Sequence, residues 1–539
     1  MSLTMTVHGA AGCVTGSCYR LATPRASVLV DCGMFQGSKS LKALNYEPFP
    51  FDAKAIDAVL LTHAHIDHSG LLPKLVRAGF SGPIYATAGT RDLCDVMLAD
   101  AAHIQESEVE QLNRRNERRG RPTVEPIYTR RDAARTMELF QRVKLGEAIE
   151  AAPGFTARWW NAGHILGSAS IEVVAGDETP ARLLFSGDLG PGGRDFLADP
   201  EGPAGVDHLI MESTYGDRER PAITPDQRRA LLAAELRDAH DAGGPLLIPA
   251  FAVERTQELL ADLLQVMADG AAPPADVFLD SPLAVEATEV FLKRGYSAAT
   301  GRNPFEALHA GERLRFLREP RESDQLERLR GWHVIMAASG MCDAGRIRKH
   351  LKRLLWRESA TVLLSGFQVR GTLGRLLLDG VGRVRIQGDD IQVKARIRSL
   401  DIYSGHADAS GLAAWALARR PVGGKVFVCH GEPEASRGLA TRLEAAGFAP
   451  DALALPTIDQ AFRLAATTAE AAPAEATRHA PAAPSGLDWH NARARLLGEL
   501  DARLERADSD AERAQLLEAI RRLLEAPTAS PAAVAATDA

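Results

Sequence analysis

The feature that most constrains this chain is a cluster of metal-binding side chains that begins where an apolar segment ends. Residues 59–75 read VLLTHAHIDHSGLLPKL and place His63, His65, Asp67 and His68 within six positions. The short apolar run at 56–61 is typical of a buried strand, so these side chains follow a strand and lead into a helix. Imidazole nitrogen and carboxylate oxygen are ligands of borderline-soft divalent metals. The segment therefore predicts a metal site.

The crowding of these four side chains favours two neighbouring metal ions over one. His63 and His65 lie before the turn, whereas Asp67 and His68 are carried around it, so the four cannot all face one ion. A catalytic site also keeps an open position for water, which makes the chain a predicted metallohydrolase. The alternative is a solvated, histidine-rich loop, and a spacing this specific seldom arises by chance.

Four more polar residues stand at the ends of apolar segments. They are Asp31 in VLVDCGMFQG, His164 in WWNAGHILGSAS, Asp188 in LLFSGDLG and His430 in KVFVCHGE. Sheets of α/β proteins gather their ligands at the carboxyl edges of strands. Taken singly, each residue is compatible with an ordinary loop, and Asp31 with a turn before Gly33. Taken with the first cluster, they supply the ligands that a dinuclear site needs.

The chain carries, in this order, HxHxDH, a lone His, an Asp and a final His. With this order of motifs it resembles the metallo-β-lactamase superfamily. The resemblance implies that His63, His65 and His164 hold one metal. It implies that Asp67, His68 and His430 hold the other, with Asp188 bridging. Asp31 matches the first motif of the superfamily, where a carboxylate orients ligands by hydrogen bonding. The implied cofactors are two Zn²⁺ ions, although manganese and iron suit the same ligands.

A domain-sized insertion separates Asp188 from His430, which lie about 240 residues apart. Within it, residues 244–380 repeat a strand-then-helix pattern: PLLIP with VERTQELLADLL, DVFLD with LAVEATEVF, HVIMA with AGRIRKHLKRLL, and TVLLS with GTLGRLLL. Such alternation predicts a parallel sheet covered by helices, with the loops after the strands along one edge. We expect that edge to form a second wall of the metal cleft.

The insertion extends the resemblance to the β-CASP subfamily of nucleases, over residues 5–465. Glu212 in LIMESTYGDR, His406 in YSGHAD and His430 in VCHGE match its motifs A, B and C. The strings PAFAVERTQELL, LDSPLA, ASGMCDAGRIRKHL and LSGFQVRGTLGRLL are similar to bacterial and archaeal members akin to the mRNA 3′-end processing endonuclease. The implied fold class is α/β, an αββα sandwich with an inserted parallel α/β domain. In this family a His at motif C accompanies RNA cleavage, so His430 favours RNA.

Three residues are assigned catalytic roles. Asp67 is expected to orient or deprotonate the attacking water. His406 is expected to stabilise the scissile phosphate or to protonate the leaving oxygen, since histidine titrates near neutral pH. Glu212 would hold the tautomer of His406; the alternative is a purely structural pair. Two glycine-bearing loops are candidate RNA contacts, although plain loop geometry explains them equally well: Ser339, Gly340, Ser365, Gly366, Gln368, Arg370 and Thr372.

The predicted function is therefore a metal-dependent ribonuclease acting on single-stranded RNA. We expect endonucleolytic cutting, with 5′-3′ exonucleolytic cutting as an additional mode. A DNA nuclease of the same fold is the alternative within the class. A small-molecule metallohydrolase or thioesterase would need neither the insertion nor His406. A non-catalytic scaffold subunit would have lost ligands, and this chain keeps all of them.

Bulk properties limit how RNA could bind. The net charge of −7 excludes a broadly basic surface, so attraction must be local. The segment NRRNERRGRP at 113–122 is a dense basic cluster, either guiding a strand or ending a solvated helix. The six cysteines form no CxxC pair, and no apolar run reaches membrane-spanning length. A cytoplasmic protein without membrane contact is expected.

The chain is predicted to divide into several regions. Beyond the catalytic part, leucines recur at helical spacing, and we expect the helices to dock on their own core, on a second subunit as a homodimer, or on a partner. The predicted regions are 1–215 and 396–466 for the metallo-β-lactamase domain, 216–395 for the inserted domain, 467–486 for a flexible linker, 487–526 for a helical hairpin and 527–539 for a disordered tail.

Overall fold

The computed structural model describes most of the chain. The described residues are 3–176, 180–194, 196–221, 223–295, 303, 305, 308, 313–366, 368, 371–473, 478, 496–497, 499–500 and 502–525. Residues 1–481 form one compact unit and residues 482–539 a second.

The first unit is built around two mixed sheets. The eight-stranded sheet has the order β23-β22-β1-β2-β3-β4-β5-β6 and the seven-stranded sheet the order β21-β20-β11-β10-β9-β8-β7. The strands of the first are β1 (Leu3–Val7), β2 (Tyr19–Ala22), β3 (Ser27–Val30), β4 (Ala58–Leu60), β5 (Ile84–Thr87), β6 (Phe140–Val143), β22 (Gln460–Ala465) and β23 (Thr468–Ala472). Those of the second are β7 (Ala148–Ala152), β8 (Phe155–Asn161), β9 (Ala169–Ala175), β10 (Ala181–Phe185), β11 (His208–Met211), β20 (Val426–Val428) and β21 (Leu453–Ala454).

The inner faces of these sheets pack on each other through one apolar core. Val30 and Leu60 from the first sheet share that core with Trp159, Ile171 and Phe427 from the second. Strand β9 is buried along almost its whole length.

Helices cover the two outer faces. On the first sheet lie α2 (Ile66–Ser69), α3 (Leu72–Arg77), α4 (Ala88–Arg118) and α5 (Arg130–Glu138). The short helix α1 (Lys39–Ala43) lies in the connection between β3 and β4. On the second lie α12 (Ala409–Leu417) and α13 (Pro433–Ala445), which pack through Leu412 and Leu439. The layers are helix, sheet, sheet, helix, which confirms the predicted αββα sandwich.

The inserted region forms a six-stranded sheet of order β14-β13-β15-β12-β16-β19, in which every pairing is parallel. This confirms the predicted parallel α/β insertion. The strands are β12 (Leu246–Pro249), β13 (Val277–Leu279), β14 (Leu314–Phe316), β15 (Val334–Ala337), β16 (Thr361–Leu364) and β19 (Arg396–Ser399), with the hairpin β17 (Arg383–Ile386) and β18 (Asp389–Gln392) beside them. The helices are α6 (Pro225–Asp241), α7 (Arg255–Ala268), α8 (Pro282–Arg294), α9 (Pro320–Gln325), α10 (Ile347–Leu354) and α11 (Leu373–Leu378).

Two segments differ from the predicted boundaries. Strand β19 pairs with β16 of the inserted sheet, so that sheet extends past the predicted limit at residue 395. Strand β23 lies in the predicted linker 467–486, where Thr468–Ala472 pairs with β22 as a hairpin. Both strands are short and partly exposed, so their hydrophobic pattern is weak, and pairing with a neighbouring strand decides their conformation.

In the second unit the structure describes α14 (Asp510–Glu525), within the predicted hairpin, where Leu517 and Leu523 are exposed. The tail 527–539 lies outside the described residues. In the described part of the chain, no helix is both long enough and apolar enough to span a membrane.

Candidate metal centre

The candidate metal-binding side chains converge at one edge of the sandwich because each follows a strand. Asp31 follows β3 and the HxHxDH segment follows β4, both in the eight-stranded sheet. His164, Asp188, Glu212 and His430 follow β8, β10, β11 and β20 in the other sheet. Two hydrogen bonds tie the sheets together here: the Trp159 side chain donates through Nε1 to Leu61 O (3.1 Å), and the backbone Ala169 N donates to Thr62 O (2.9 Å).

One group of candidate ligands combines both sheets. Ligand atoms of His63, His65, His164 and Asp188 all lie within 4.8 Å of one another. His65 Nδ1 is 3.1 Å from His63 Nε2 and 3.1 Å from His164 Nε2. His164 Nδ1 donates to Gly405 O at 2.8 Å, which leaves Nε2 facing the group.

A second group lies beside the first. Ligand atoms of Asp67, His68 and His430 also lie within 4.8 Å of one another. The Nε2 atoms of His68 and His430 are 3.0 Å apart, and His430 Nε2 is 3.7 Å from Asp67 Oδ2. The HxHxDH side chains thus fall into two neighbouring groups, His63 and His65 in the first and Asp67 and His68 in the second.

Asp188 lies between the two sets. Its Oδ2 is 3.5 Å from His63 Nε2, and its Oδ1 is 3.2 Å from His68 Nε2 and 3.5 Å from His430 Nδ1. The buried Oδ1 accepts no hydrogen bond from any described residue.

The donor set fits divalent metal ions. Ring nitrogens bound to one tetrahedral Zn²⁺ at 2.0–2.1 Å stand about 3.3 Å apart, close to the spacing of His63, His65 and His164. A cation at the centre of each set satisfies several lone pairs at once, whereas shared protons could satisfy only some of them. The residues present therefore suit two adjacent ions.

Asp31 hydrogen-bonds to one of the candidate ligands, His68. Its carboxylate is buried and accepts hydrogen bonds from His68 Nδ1 (2.7 Å), Thr62 N (2.9 Å), Thr62 Oγ1 (2.9 Å) and Ser17 Oγ (2.9 Å). Because His68 Nδ1 carries the hydrogen, its Nε2 is free to bind metal. Thr62 and Ser17 were not among the predicted site residues; the position of Thr62, directly before His63, was the available signal.

Burial and neighbouring charges shift the pKa values of the candidate ligands. Burial lowers the pKa of His65 to about 4 and the pKa values of His63 and His164 well below the usual range, so these rings are neutral, as metal ligation requires. Burial opposes the charged form of Asp188 too, but the surrounding histidines, His430 first, hold its pKa well below the usual value.

His406 stands beside the first set, within reach of Asp188. Its Nδ1 lies 3.1 Å from Glu212 Oε1, and its Nε2 lies 3.9 Å from Asp188 Oδ2. Glu212 is fixed by the amides of Leu189 (2.7 Å) and Thr214 (3.2 Å). Both carboxylate oxygens of Glu212 thus accept backbone hydrogen bonds, and we interpret Glu212 as a hydrogen-bond partner of His406. Its carboxylate also lies within 4.8 Å of ligand atoms of Asp188 and His430.

The candidate RNA-binding loops have mixed environments. Ser365, Gln368 and Thr372 are buried and make structural hydrogen bonds: Ser365 Oγ donates to Pro249 O, Gln368 Nε2 to the carbonyls of Gly340 and Gly366, and Thr372 Oγ1 accepts from Arg375 N. Ser339 is half-buried. Arg370 lies outside the described residues.

The fold and these clusters define a metal-dependent hydrolase with an αββα core and a two-part ligand set. The family comparisons agree: the chain matches the models "Metallo-beta-lactamase superfamily" at residues 11–240, "Beta-Casp domain" at 256–377 and "Zn-dependent metallo-hydrolase RNA specificity domain" at 390–453. The chain belongs to the β-CASP family of the metallo-β-lactamase superfamily, which confirms the resemblance.

Several curated relatives cover most of the chain. "Ribonuclease TTHA0252" of Thermus thermophilus is 36% identical over 434 residues, 79% of this chain and 92% of the relative. "Transcription termination factor FttA" of Cenarchaeum symbiosum is 30% identical over 81% of this chain and 67% of the relative. "RNase J-like protein" of Methanocaldococcus jannaschii is 28% identical over 79% of this chain and 91% of the relative.

Proposed function

We propose that this protein is a metal-dependent ribonuclease that hydrolyses phosphodiester bonds of single-stranded RNA. The observation that carries the proposal is His406, held on Glu212 beside a complete set of metal-binding side chains. A hydrolase that acts only on small molecules needs no such residue on a turn that follows an inserted domain. The names of the relatives from Thermus thermophilus and Methanocaldococcus jannaschii support RNA as the substrate.

The chain's own residues supply orientation and proton transfer. Asp67, at the rim of the second ligand set, accepts a proton from the attacking water. His406, whose Nδ1 donates to Glu212, presents Nε2 to the cleft and delivers a proton to the leaving oxygen. Bound divalent metals would supply charge neutralisation at the phosphate and a lowered pKa of water.

We assign two Zn²⁺ ions per chain. His63, His65 and His164 would hold one, Asp67, His68 and His430 the other, and Asp188 would bridge them. Zinc suits this mixture of nitrogen and oxygen ligands; manganese and iron suit it as well, and metal reconstitution decides among the three.

RNA would approach between the sandwich and the inserted domain. The backbone amides of the Ser339 and Gly366 loops are candidate phosphate contacts. The three buried side chains among the predicted contacts, Ser365, Gln368 and Thr372, would act indirectly by shaping these loops. All six cysteines are free, which agrees with a cytoplasmic location.

A pair of RNA substrates tests the proposal and its cutting mode. The purified protein is stripped with a chelator, reloaded with each metal in turn, and given linear or circular single-stranded RNA of one sequence. An endonuclease linearises the circle, whereas a 5′ exonuclease degrades only the linear form. His406→Ala is the matched variant, since it removes no metal ligand. Cleavage of neither RNA by a metal-loaded protein would contradict the proposal and favour a small-molecule substrate.

A further inference from the structure

Two arginines donate hydrogen bonds to backbone carbonyls of the turn that carries His406. Arg194 Nη2 donates to Ser404 O at 2.6 Å, and Arg255 Nε donates to Tyr403 O at 3.2 Å. Neither arginine is a metal ligand. Two successive carbonyls of this turn are therefore fixed by guanidinium groups before the chain reaches His406.

This turn touches the metal centre twice. Gly405 O accepts the hydrogen bond from His164 Nδ1 at 2.8 Å, and the next residue, His406, contacts Glu212 at 3.1 Å. Because Ser404 lies one residue before Gly405 and two before His406, a movement of its carbonyl would change the orientation of a predicted ligand and of a predicted proton donor together.

The inserted domain fixes Arg194 in turn. Arg194 Nη1 lies 3.4 Å from Glu254 Oε1 and 3.4 Å from Glu258 Oε2, and the three side chains are 7%, 5% and 2% exposed. A buried guanidinium needs nearby carboxylates to offset its lost hydration. Its planar fork lets one side chain bind a carbonyl and carboxylates at once, which a lysine cannot do.

Glu254 stands at the start of α7 in an unusual backbone conformation. Glu254 has φ +71°, a conformation that non-glycine residues rarely adopt and that persists where the surroundings impose it. One residue at the start of α7 therefore joins the inserted domain to Arg194.

We propose that Arg194 is a positioning residue that couples the inserted domain to the metal centre by holding the Ser404–His406 turn. Glu254 and Glu258 set the position of its guanidinium, and the guanidinium sets the carbonyl of Ser404. The inserted domain would then form one wall of the cleft and also determine how well the centre is assembled. The effect on hydrolysis rests on the proposed function; the effect on the turn and on metal affinity does not.

Three variants separate this role from a general loss of stability. Arg194→Gln removes both functions of the side chain, and Arg194→Lys keeps the positive charge but loses the fork. Arg346→Gln is the matched control, because Arg346 also binds a buried carboxylate, Asp280 (2.7 Å), and a backbone carbonyl, Arg318 O (2.5 Å), and has no hydrogen bond to the Ser404–His406 turn among those described.

The readouts are hydrogen exchange of residues 404–407 in the metal-free protein, metal affinity by chelator competition, and kcat and KM on RNA and on bis(p-nitrophenyl) phosphate. We expect Arg194→Gln to speed exchange of the turn at least tenfold, to weaken metal binding about tenfold to hundredfold and to lower kcat similarly, with KM changed less than about threefold. Arg194→Lys should resemble Arg194→Gln in kcat.

Two outcomes would overturn the proposal. One is unchanged exchange and metal affinity in Arg194→Gln; the other is an equal loss of both in Arg346→Gln. If the wild type cleaves neither substrate, the proposed function fails, while exchange and metal affinity still decide the role of Arg194.

Discussion

Replacing Asp31 by asparagine tests how far the metal centre depends on residues that do not bind metal. All of the groups that point at the Asp31 carboxylate are donors: His68 Nδ1, the amide and hydroxyl of Thr62, and the hydroxyl of Ser17. An amide keeps the shape but turns one oxygen into a donor, so a donor must face a donor. If His68 changes tautomer to relieve this, its hydrogen moves to Nε2, where the metal would bind.

The magnitude follows from the strongest of these contacts. A hydrogen bond to a charged group contributes about 1.5–3 kcal/mol, and the His68 contact at 2.7 Å is the shortest of the four. We therefore expect Asp31→Asn to weaken metal binding about tenfold to hundredfold, which is about 1.4–2.8 kcal/mol. The assay is chelator competition at fixed pH, with thermal unfolding of the metal-free protein to confirm that the variant folds.

Asp459→Asn is the matched control. Asp459 is fully buried and also binds a histidine, His8, through Nδ1 at 2.8 Å, but it contacts none of the predicted ligands. Its variant should destabilise the fold without changing metal affinity. Normal metal binding by a folded Asp31→Asn, or an equal loss in Asp459→Asn, would refute the reasoning.

Three further changes have defined outcomes. His406→Ala should keep its metal content and lose about a hundredfold to ten-thousandfold in kcat on RNA; loss of metal would contradict its role as proton donor. Burial and the neighbouring Glu258 raise the pKa of Glu254 to about 8, from a value of 4.5 in the unfolded chain. The stability of the wild type relative to Glu254→Gln should therefore fall by a few kcal/mol as pH rises from about 4.5 to 8, measured by urea unfolding at each pH. A stability difference that does not depend on pH would count against this. Gly33→Ala places a methyl 1.6 Å from the carbonyl oxygen of Asp67 and should displace that ligand segment, weakening metal binding at least tenfold. As the control, the methyl of Gly382→Ala meets nothing within 4 Å, so this variant should bind metal like the wild type.

The sequence predicted the parts of the centre that follow strands. His63, His164, Asp188 and His430 each end an apolar segment, and strands of a sandwich bring such ends together whatever the loops between them do. The parallel inserted domain was predictable for the same reason, because its strand-then-helix alternation is local and regular.

The parts held by long-range contacts were not predictable. Arg194 has no neighbouring pattern that marks it, and its bond to Ser404 spans 210 residues. Gln368 was expected to face RNA, yet it is buried, since its amide bridges two loop carbonyls. Strand β19 extends the inserted sheet because β16 offers an edge to pair with, which no property of residues 396–399 alone reveals.

The most direct test is cleavage of end-labelled single-stranded RNA and of the matched DNA oligonucleotide by the wild type and by Asp67→Ala, with bound metal quantified in each sample. We predict that the wild type carries close to two metals, cuts RNA and spares DNA, and that Asp67→Ala is inactive. A wild type that carries two metals and cuts neither nucleic acid, or an Asp67→Ala variant that retains full activity, would contradict it.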